Sequence, residues 1–172
     1  MKTTTRVLFA ALLCTAAVAC TKKVKEEAPA TDTGPSTGTV APTGPATPGA
    51  YTPADLDSDA CLRQRVVYFD LDQDTLRPEF QAIVACHAKY LRDRSASRIS
   101  LEGHADERGS REYNQGLGER RGNGVSSALQ ANGGSAAQLA VVSYGEERPV
   151  CTESNEDCWA RNRRVEIIYT AR

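Results

Sequence analysis

The sequence predicts an α/β sandwich in which helices pack on one sheet of four strands. Four short stretches have the pattern of β-strands (residues 66–69, 99–106, 141–144 and 165–169), and two stretches with helical periodicity lie among them. Strands that alternate with helices form layers, because each element must bury an apolar face against another element. We expect this folded domain to span residues 55–172 of the 172-residue chain.

The first strand and the first helix have clear local signals. Residues 66–69 are β-branched or aromatic, as strands prefer. Between residues 77 and 94 apolar side chains recur about every 3.6 residues, and Pro78 suits the first turn of a helix. The residues that share this face are Phe80, Ile83, Val84, His87 and Leu91.

The second strand has a clear pattern, but the signals for the second helix conflict. Apolar or small residues alternate with polar ones over residues 99–106, the pattern of a half-buried strand. Ser110 is a good N-cap for a helix, yet four glycines follow it, each costing about 1 kcal/mol relative to alanine. Propensity alone would make this stretch a loop. We predict a helix because these residues would share one side: Tyr113, Leu117, Arg121, Val125, Ala128 and Leu129.

The first 20 residues have the features of a bacterial export signal. Lys2 and Arg6 supply the positive start. The apolar stretch over residues 7–18 is shorter than the roughly 20 residues that span a bilayer. Small residues before Cys20 resemble the lipobox of lipoproteins, although Ala17 stands where leucine is usual. We expect a signal peptide over residues 1–19 and a lipidated Cys20.

The alternative is an ordinary signal peptide that is cut after Ala19 and leaves no lipid. If Cys20 is lipidated, two or more acyl chains would hold it stably in a membrane. Thr21 follows the cysteine, in place of the aspartate that retains many enteric lipoproteins in the inner membrane. This resemblance implies the outer membrane. Residues 20–54 hold six of the eight prolines, and we expect this lipidated start to continue as a disordered Pro/Thr/Gly linker.

Six cysteines suggest a disulfide framework. They form no CxxC pair and lack a histidine at zinc-finger spacing, so we expect no structural zinc. An exported chain meets an oxidising compartment, and after Cys14 and Cys20 four cysteines remain, which allow three pairings. Cys151 with Cys158 would close a short loop. Cys61 with Cys86 would tie the entry of the domain to its first helix.

Charge narrows the range of partners. The net charge of −1 gives no indication of a nucleic-acid partner. Lys89 is the only lysine after Lys25, and the other basic side chains there are arginines. An arginine can hold a carboxylate with two parallel hydrogen bonds, so the bias suits carboxylate binding. A high genomic GC content would explain the same bias.

The most specific signal is a set of motifs spread over the folded part. They are Tyr-Phe-Asp at 68–70, Gly-His-Ala-Asp-Glu-Arg-Gly at 103–109, Tyr-Asn at 113–114, Leu-Gly-Glu-Arg-Arg at 117–121 and Asn-Arg-Arg at 162–164. With them the chain closely resembles the OmpA-like domain family over about residues 62–170, and within it the lipoproteins of the Tol-Pal system. The resemblance implies a βαβαβ-type sandwich with a mixed four-stranded sheet, and it supports the second helix.

The resemblance also implies non-covalent binding of the peptidoglycan stem peptide, without cofactor or metal. The group bound would be meso-diaminopimelate, whose ammonium and carboxylate share one carbon. Asp106 matches the family's acidic residue and Arg121 its basic residue. Phe69 and Asp70 match the opposite wall of the groove. A TolB-like periplasmic β-propeller is the partner protein implied.

Local patterns agree with these roles. Gly103 and Gly109 would let backbone and ligand approach closely. Asn114, Leu117 and Arg121 lie at i, i+3 and i+7, on one face of the second helix.

In the family, Asn162 and Arg164 help to brace the loops around the site, and the role of Arg163 stays open. Tyr113 and Leu117 are expected to fill the core, although the Leu117 backbone is a candidate ligand contact. A structural role is expected for His87.

Each ligand residue has a simpler alternative role. Asp106 would instead cap the turn into the second helix. Arg121 would instead pair with Glu119 or Glu107, and Arg120 with Glu119 is expected to form a solvated or structural pair.

A hydrolase is the rival class, because His104, Asp106 and Glu107 are close in sequence. We expect no enzyme, since a catalytic zinc takes three protein ligands and His87 is the only other histidine. No serine or cysteine lies in a nucleophile motif beside that histidine. A protein-binding module of the envelope is the third alternative.

Overall fold

The computed structural model describes residues 49–172, and the predicted signal peptide, Cys20 and most of the predicted linker lie outside the described residues. The elements follow in the order α1 (Asp55–Ser58), β1 (Val66–Tyr68), α2 (Gln81–Asp93), β2 (Arg98–His104), α3 (Arg111–Ala131), β3 (Leu139–Gly145), α4 (Glu156–Asn162) and β4 (Arg164–Ala171). Short 3-10 turns precede α2, at Pro78–Phe80, and β3, at Ala136–Gln138.

The four strands form one mixed sheet in the order β1-β4-β2-β3. Strands β2 and β3 are parallel, with α3 between them in the chain, and β4 is antiparallel to both β1 and β2. The last strand therefore lies in the middle of the sheet. The predicted α/β class and the mixed four-stranded sheet are confirmed.

Helices α2 and α3 cover one face of this sheet. Ile83, Val84 and Leu91 of α2 pack with Val125 and Leu129 of α3 and with the inward side chains of the strands. These side chains are at most a few per cent exposed, so their burial supplies the main apolar driving force of folding. The two apolar faces predicted from a period of 3.6 are those that pack on the sheet, except for Tyr113, which is exposed.

A second small apolar cluster joins the N-terminal segment to α2. Tyr51, Leu56 and Leu62 pack against Tyr90, and the disulfide between Cys61 and Cys86 crosses the same contact. The other disulfide joins Cys151 to Cys158 and closes the loop before α4. These four cysteines allow three pairings. In the structure each cysteine is bonded to the one nearest to it along the chain.

Two of the four glycines in α3, Gly118 and Gly122, are explained by close packing of the helix on the sheet. A Cβ atom added to Gly118 would lie 2.4 Å from Ser143 Oγ and 2.9 Å from the carbonyl oxygen of Gly103. One added to Gly122 would lie 2.6 Å from a Val141 methyl. The cost in helix propensity is therefore offset by an approach of helix and sheet that no larger residue allows.

The predicted second strand is too long by two residues. β2 ends at His104, and its pairing with β3 shifts register between Gly103 and His104. Because of this bulge the alternation stops, and His104, Ala105 and Asp106 are all buried. The chain leaves the sheet just before Asp106, while the backbone N–H of Ala105 still donates to the Gly145 carbonyl at 2.8 Å.

Candidate functional site

A cavity of about 230 Å³ opens where β2 ends and α3 begins. Its walls come from the loop after β1, the loop after β2 and the first half of α3. The lining residues are Leu71, Asp72, Ala105, Asp106, Arg108, Gly109, Tyr113, Asn114, Leu117 and Arg121. Five residues that the sequence analysis singled out for ligand binding therefore meet at one cavity: Asp106, Gly109, Asn114, Leu117 and Arg121.

Asp106 is buried and held by two arginines. The backbone N–H and Nε of Arg108 both donate to its Oδ1 at 3.0 Å, and Arg108 Nη2 donates to its Oδ2 at 2.7 Å. Arg163 Nη1 donates to the same Oδ2 at 3.2 Å. The bond to the Arg108 backbone means that the carboxylate also stabilises the turn toward α3, the alternative role considered for it.

These contacts set the charge of Asp106. Burial acts to raise the pKa of its carboxyl group, but the hydrogen bonds from Arg108 and Arg163 outweigh it and hold the pKa below its ordinary value. Asp106 is therefore an anion at neutral pH, although only 4% of it is exposed.

Arg121 is fully buried and is positioned by backbone carbonyls. Its Nε donates to Gln73 O at 2.8 Å, Nη1 to His104 O at 2.8 Å and Nη2 to Asp70 O at 3.0 Å. Its guanidinium also lies 5.3 Å from the ring centre of Phe69. A guanidinium has five N–H groups, and three of them donate to these carbonyls. One N–H group on Nη1 and one on Nη2 remain.

Burial lowers the pKa of Arg121 to about 10, and the nearby positive charge of Arg163 adds to this effect. The guanidinium still carries its charge at neutral pH. Neither Glu119 nor Glu107 pairs with it in residues 49–172, so the alternative of an internal carboxylate pair is wrong.

Asn114 fixes the loop that carries Asp106. Its buried Nδ2 donates to the carbonyls of Asp106 and Arg108 at 3.1 Å each, and it also contacts the Glu146 carboxylate. Gly109, with φ of +110°, makes the turn that brings this loop to the start of α3, a backbone conformation that favours glycine. The side chain of Leu117 is buried as expected and forms the floor of the cavity.

Three predicted residues lie outside the lining. Phe69 is buried beneath Arg121, and the Asp70 carboxylate points to solvent and pairs with Arg77 at 3.2 Å, so only its carbonyl serves the site. Gly103 packs beneath α3 against Gly118. Its lack of a side chain is therefore needed for helix packing.

Asn162 and Arg164 brace the loop before α4. Oδ1 of Asn162 accepts from the backbone N–H groups of Val150, at 2.9 Å, and Cys151, at 3.2 Å, and its Nδ2 donates to Cys151 O at 2.7 Å. Arg164 donates to Arg148 O at 3.3 Å and pairs with Glu166 at 2.6 Å. Both lie away from the cavity lining.

Sequence reasoning missed the two arginines at Asp106. Arg163, whose role was left open, donates to Phe69 O at 3.1 Å and to Glu156 at 2.6 Å besides Asp106. Arg108 stands two residues after Asp106, a spacing at which a turn folds the guanidinium back onto the carboxylate. That spacing was the available signal for Arg108, whereas nothing local pointed to Arg163.

Tyr113 was expected in the core and is 45% exposed, so that prediction is wrong. It stands in the first turn of α3, beyond the edge of the sheet, and its hydroxyl donates to Asp72 across the cavity mouth. Asp72 has a left-handed backbone with φ of +57°. Arg120 pairs with Asp74 at 3.3 Å and not with Glu119.

Comparison with known proteins identifies the family of this domain. Residues 68–163 match the OmpA family. The chain is 50% identical over 113 residues to the peptidoglycan-associated lipoprotein of Pseudomonas aeruginosa, covering 65% of this chain and 67% of that protein. It is 39% identical over 123 residues to that of Haemophilus influenzae, covering 72% and 78%.

The chain belongs to the OmpA family. The crystal structure of the peptidoglycan-associated lipoprotein from Burkholderia pseudomallei superposes with a TM-score of 0.66 at 39% identity. The match covers 67% of this chain and 98% of that one. The C-terminal domain of Helicobacter pylori MotB shares the fold, with a TM-score of 0.57 at 20% identity.

The side chains of the rival hydrolase hypothesis, His104, Asp106 and Glu107, do not all line this cavity. His104 does not line the cavity with Asp106, but faces Tyr144 and lies 4.0 Å from Glu166. Burial lowers the pKa of His104 to about 4. Within residues 49–172 no group of three or more His, Cys, Asp or Glu side chains is placed to hold a metal ion. In the same part of the chain, every helix is too short or too polar to cross a membrane.

Proposed function

We propose that the chain is a lipoprotein of the bacterial outer membrane whose folded domain binds peptidoglycan without cleaving it. One observation carries the proposal: Asp106 and Arg121, opposite in charge and both buried, line one cavity without pairing with each other. The relatives named peptidoglycan-associated lipoprotein, which share this domain, support it.

The ligand proposed is the meso-diaminopimelate of the stem peptide. Its side chain ends in an ammonium and a carboxylate on one carbon, so it needs an anion and a cation across a small gap. Asp106 would take the ammonium, and the two remaining N–H groups of Arg121 would take the carboxylate with charge-assisted bonds. Lysine in the same position would offer the ammonium alone.

The other predicted residues support this pair. Asn114 holds the loop of Asp106, and Leu117 offers an apolar floor for the methylene groups of the ligand. Phe69 and the Asp70 carbonyl fix the Arg121 guanidinium from below. Gly103 contributes indirectly, because it sets how closely α3 approaches β2.

Lipid on Cys20 would anchor the protein, and the proline-rich stretch up to residue 54 would act as a tether of up to ~100 Å when stretched. The domain would then face the periplasm and connect the outer membrane to the cell wall.

We further propose a TolB-like partner of the Tol-Pal system that competes for the surface around the cavity. Such a connection would serve envelope integrity during cell division.

Co-sedimentation with purified peptidoglycan tests the binding site. The protein should sediment with diaminopimelate-type wall, and Asp106→Asn should abolish this because an amide cannot compensate an ammonium. Asp57→Asn is the matched control, since Asp57 lies in α1 and, among residues 49–172, its ion pairs are with Arg65 and Arg172. Equal binding of the Asp106 variant would remove the site.

Two further measurements separate the alternatives. Lysine-type wall should bind more weakly, and equal binding would exclude diaminopimelate as the group recognised. The supernatant should stay free of soluble muropeptides during incubation, and their release would support the hydrolase hypothesis.

A third measurement tests the lipid anchor: Cys20→Ser should move the protein out of the membrane fraction.

A further inference from the structure

The Asp106 carboxylate has no vacant acceptor position. Its two oxygens accept four hydrogen bonds, three from Arg108 and one from Arg163. A carboxylate offers about four lone-pair sites, so an ammonium that enters the cavity can reach Asp106 only by displacing a bond that already exists. The bonds to side chains come from two guanidinium groups, and one of these must leave.

Arg108 is the one that can leave. Its side chain is 31% exposed and forms part of the cavity wall, whereas the side chain of Arg163 is 7% exposed. Arg163 also donates to the Phe69 carbonyl in the buried interior, a bond that would have no substitute if it moved. Removal of Arg163 is therefore costly, and removal of Arg108 opens the cavity side of the carboxylate.

The Arg108 guanidinium has other partners besides Asp106 in the position it occupies. It lies 4.1 Å from the ring centre of Trp159, and its Nη1 lies 3.4 Å from Glu156. The indole is held by a 3.0 Å hydrogen bond from its Nε1 to Glu107. If Arg108 turns away from Asp106, it keeps the aromatic face and the second carboxylate, which limits the cost of release.

We propose that Arg108 is the specificity-determining gate of this site: it neutralises Asp106 while the cavity is empty and is exchanged for the ammonium of the ligand, staying on Trp159 and Glu156. The inference rests on the proposed function. The exchange replaces one cation by another, so the buried carboxylate is never left unpaired. A group without a positive charge cannot drive the exchange and is excluded from Asp106.

Calorimetric titration with a soluble disaccharide-tripeptide ending in meso-diaminopimelate tests the gate. Arg108→Gln removes the competing cation, so this variant of the full chain should bind about fivefold more tightly than the unchanged protein. Arg172→Gln is the matched control, because Arg172 pairs with Asp57 far from the cavity, and its affinity should not change. Weaker binding of Arg108→Gln would mean that Arg108 contacts the ligand, and would overturn the gate.

A double-mutant cycle tests the contact of Arg108 with Trp159. Trp159→Leu should weaken binding several-fold in the unchanged protein, because the cation–π contact matters more once Asp106 no longer neutralises Arg108, but should have no effect when Arg108 is already glutamine. Trp159→Phe, which keeps a ring, should restore most of the affinity. An equal loss from Trp159→Leu in both backgrounds would overturn this part, since Trp159 would then act without Arg108.

The two proposals fail in different ways. If the unchanged protein does not bind the muropeptide, the proposed function fails. If it binds, and Asp106→Asn abolishes binding while Arg108→Gln weakens it, the gate alone fails. Nitrogen NMR gives an independent signal: the side-chain Nε resonance of Arg108 should shift on binding while that of Arg163 stays in place.

Discussion

Asp106 and Arg121 line the same cavity, yet within residues 49–172 each is held by other groups. The carboxylate is bound by Arg108 and Arg163, and the guanidinium by three backbone carbonyls. The two opposite charges are therefore kept apart. An internal ion pair would satisfy both charges, whereas the proposed binding of a zwitterion needs the two charges apart.

Arg121→Lys should reduce both stability and binding. Lysine keeps the charge but replaces a planar fork by a single ammonium, which cannot reach the carbonyls of Gln73, His104 and Asp70 together. We expect the free energy of unfolding in urea to fall by about 3 kcal/mol. Peptidoglycan co-sedimentation should be lost even at temperatures where circular dichroism shows a folded variant. Arg172→Lys is the control, and retained binding by Arg121→Lys would contradict the role of the fork.

Two glycines of α3 should respond in opposite ways to alanine. In Gly118→Ala the new Cβ would lie 2.4 Å from Ser143 Oγ, and the overpacking should lower the unfolding free energy by about 1–3 kcal/mol. In Gly116→Ala the nearest atom is Arg120 Nη1 at 3.3 Å, the end of a flexible side chain. Helix propensity should then raise stability by up to about 1 kcal/mol. Equal effects in thermal denaturation would refute the packing explanation.

The two disulfides should differ in their contribution to stability. The bond from Cys61 to Cys86 spans 25 residues and that from Cys151 to Cys158 spans 7, so the longer closed loop restricts the unfolded chain more. Paired serine variants should lose about 3 kcal/mol for the first bond and about 2 kcal/mol for the second. Urea denaturation of both variants beside the oxidised parent measures this. A larger loss from the short loop would show that native contacts dominate.

Stability should fall between pH 7 and pH 4 because of His87. Burial lowers the pKa of this histidine to about 4, against about 6.5 in an unfolded chain. The unfolded state therefore binds a proton first as the pH falls. The stability that this difference supplies is complete above pH 6.5 and is lost toward pH 4, by up to about 3 kcal/mol.

The variant His87→Gln checks the source of this loss. It should flatten the slope of unfolding free energy against pH in this window. The flattening should be partial, since burial also lowers the pKa of His104 to about 4 and that residue is retained. An unchanged slope would mean that other groups cause the acid sensitivity.

Local sequence determined the secondary structure and part of the site. Local composition and spacing located all four strands and the first long helix, because a side chain's spacing along the chain fixes which face it shares, whereas the glycine-rich second helix also needed the family resemblance. Spacing also placed Asn114, Leu117 and Arg121 on one helix face, and the structure has all three at the cavity. The structural role expected for His87 is confirmed by its hydrogen bonds to Tyr169 and Gln64.

The tertiary structure alone decided how distant segments meet. Arg163 reaches Asp106 across 57 residues of chain because β4 inserts between β1 and β2, and no local pattern reports that order. The close approach of Gly118 to Gly103 likewise exists only once α3 lies on the sheet. Periodicity records which face is buried. The partners on that face depend on which distant segments the fold brings together, and this is why the contact of Arg163 with Asp106 could not be predicted from the sequence.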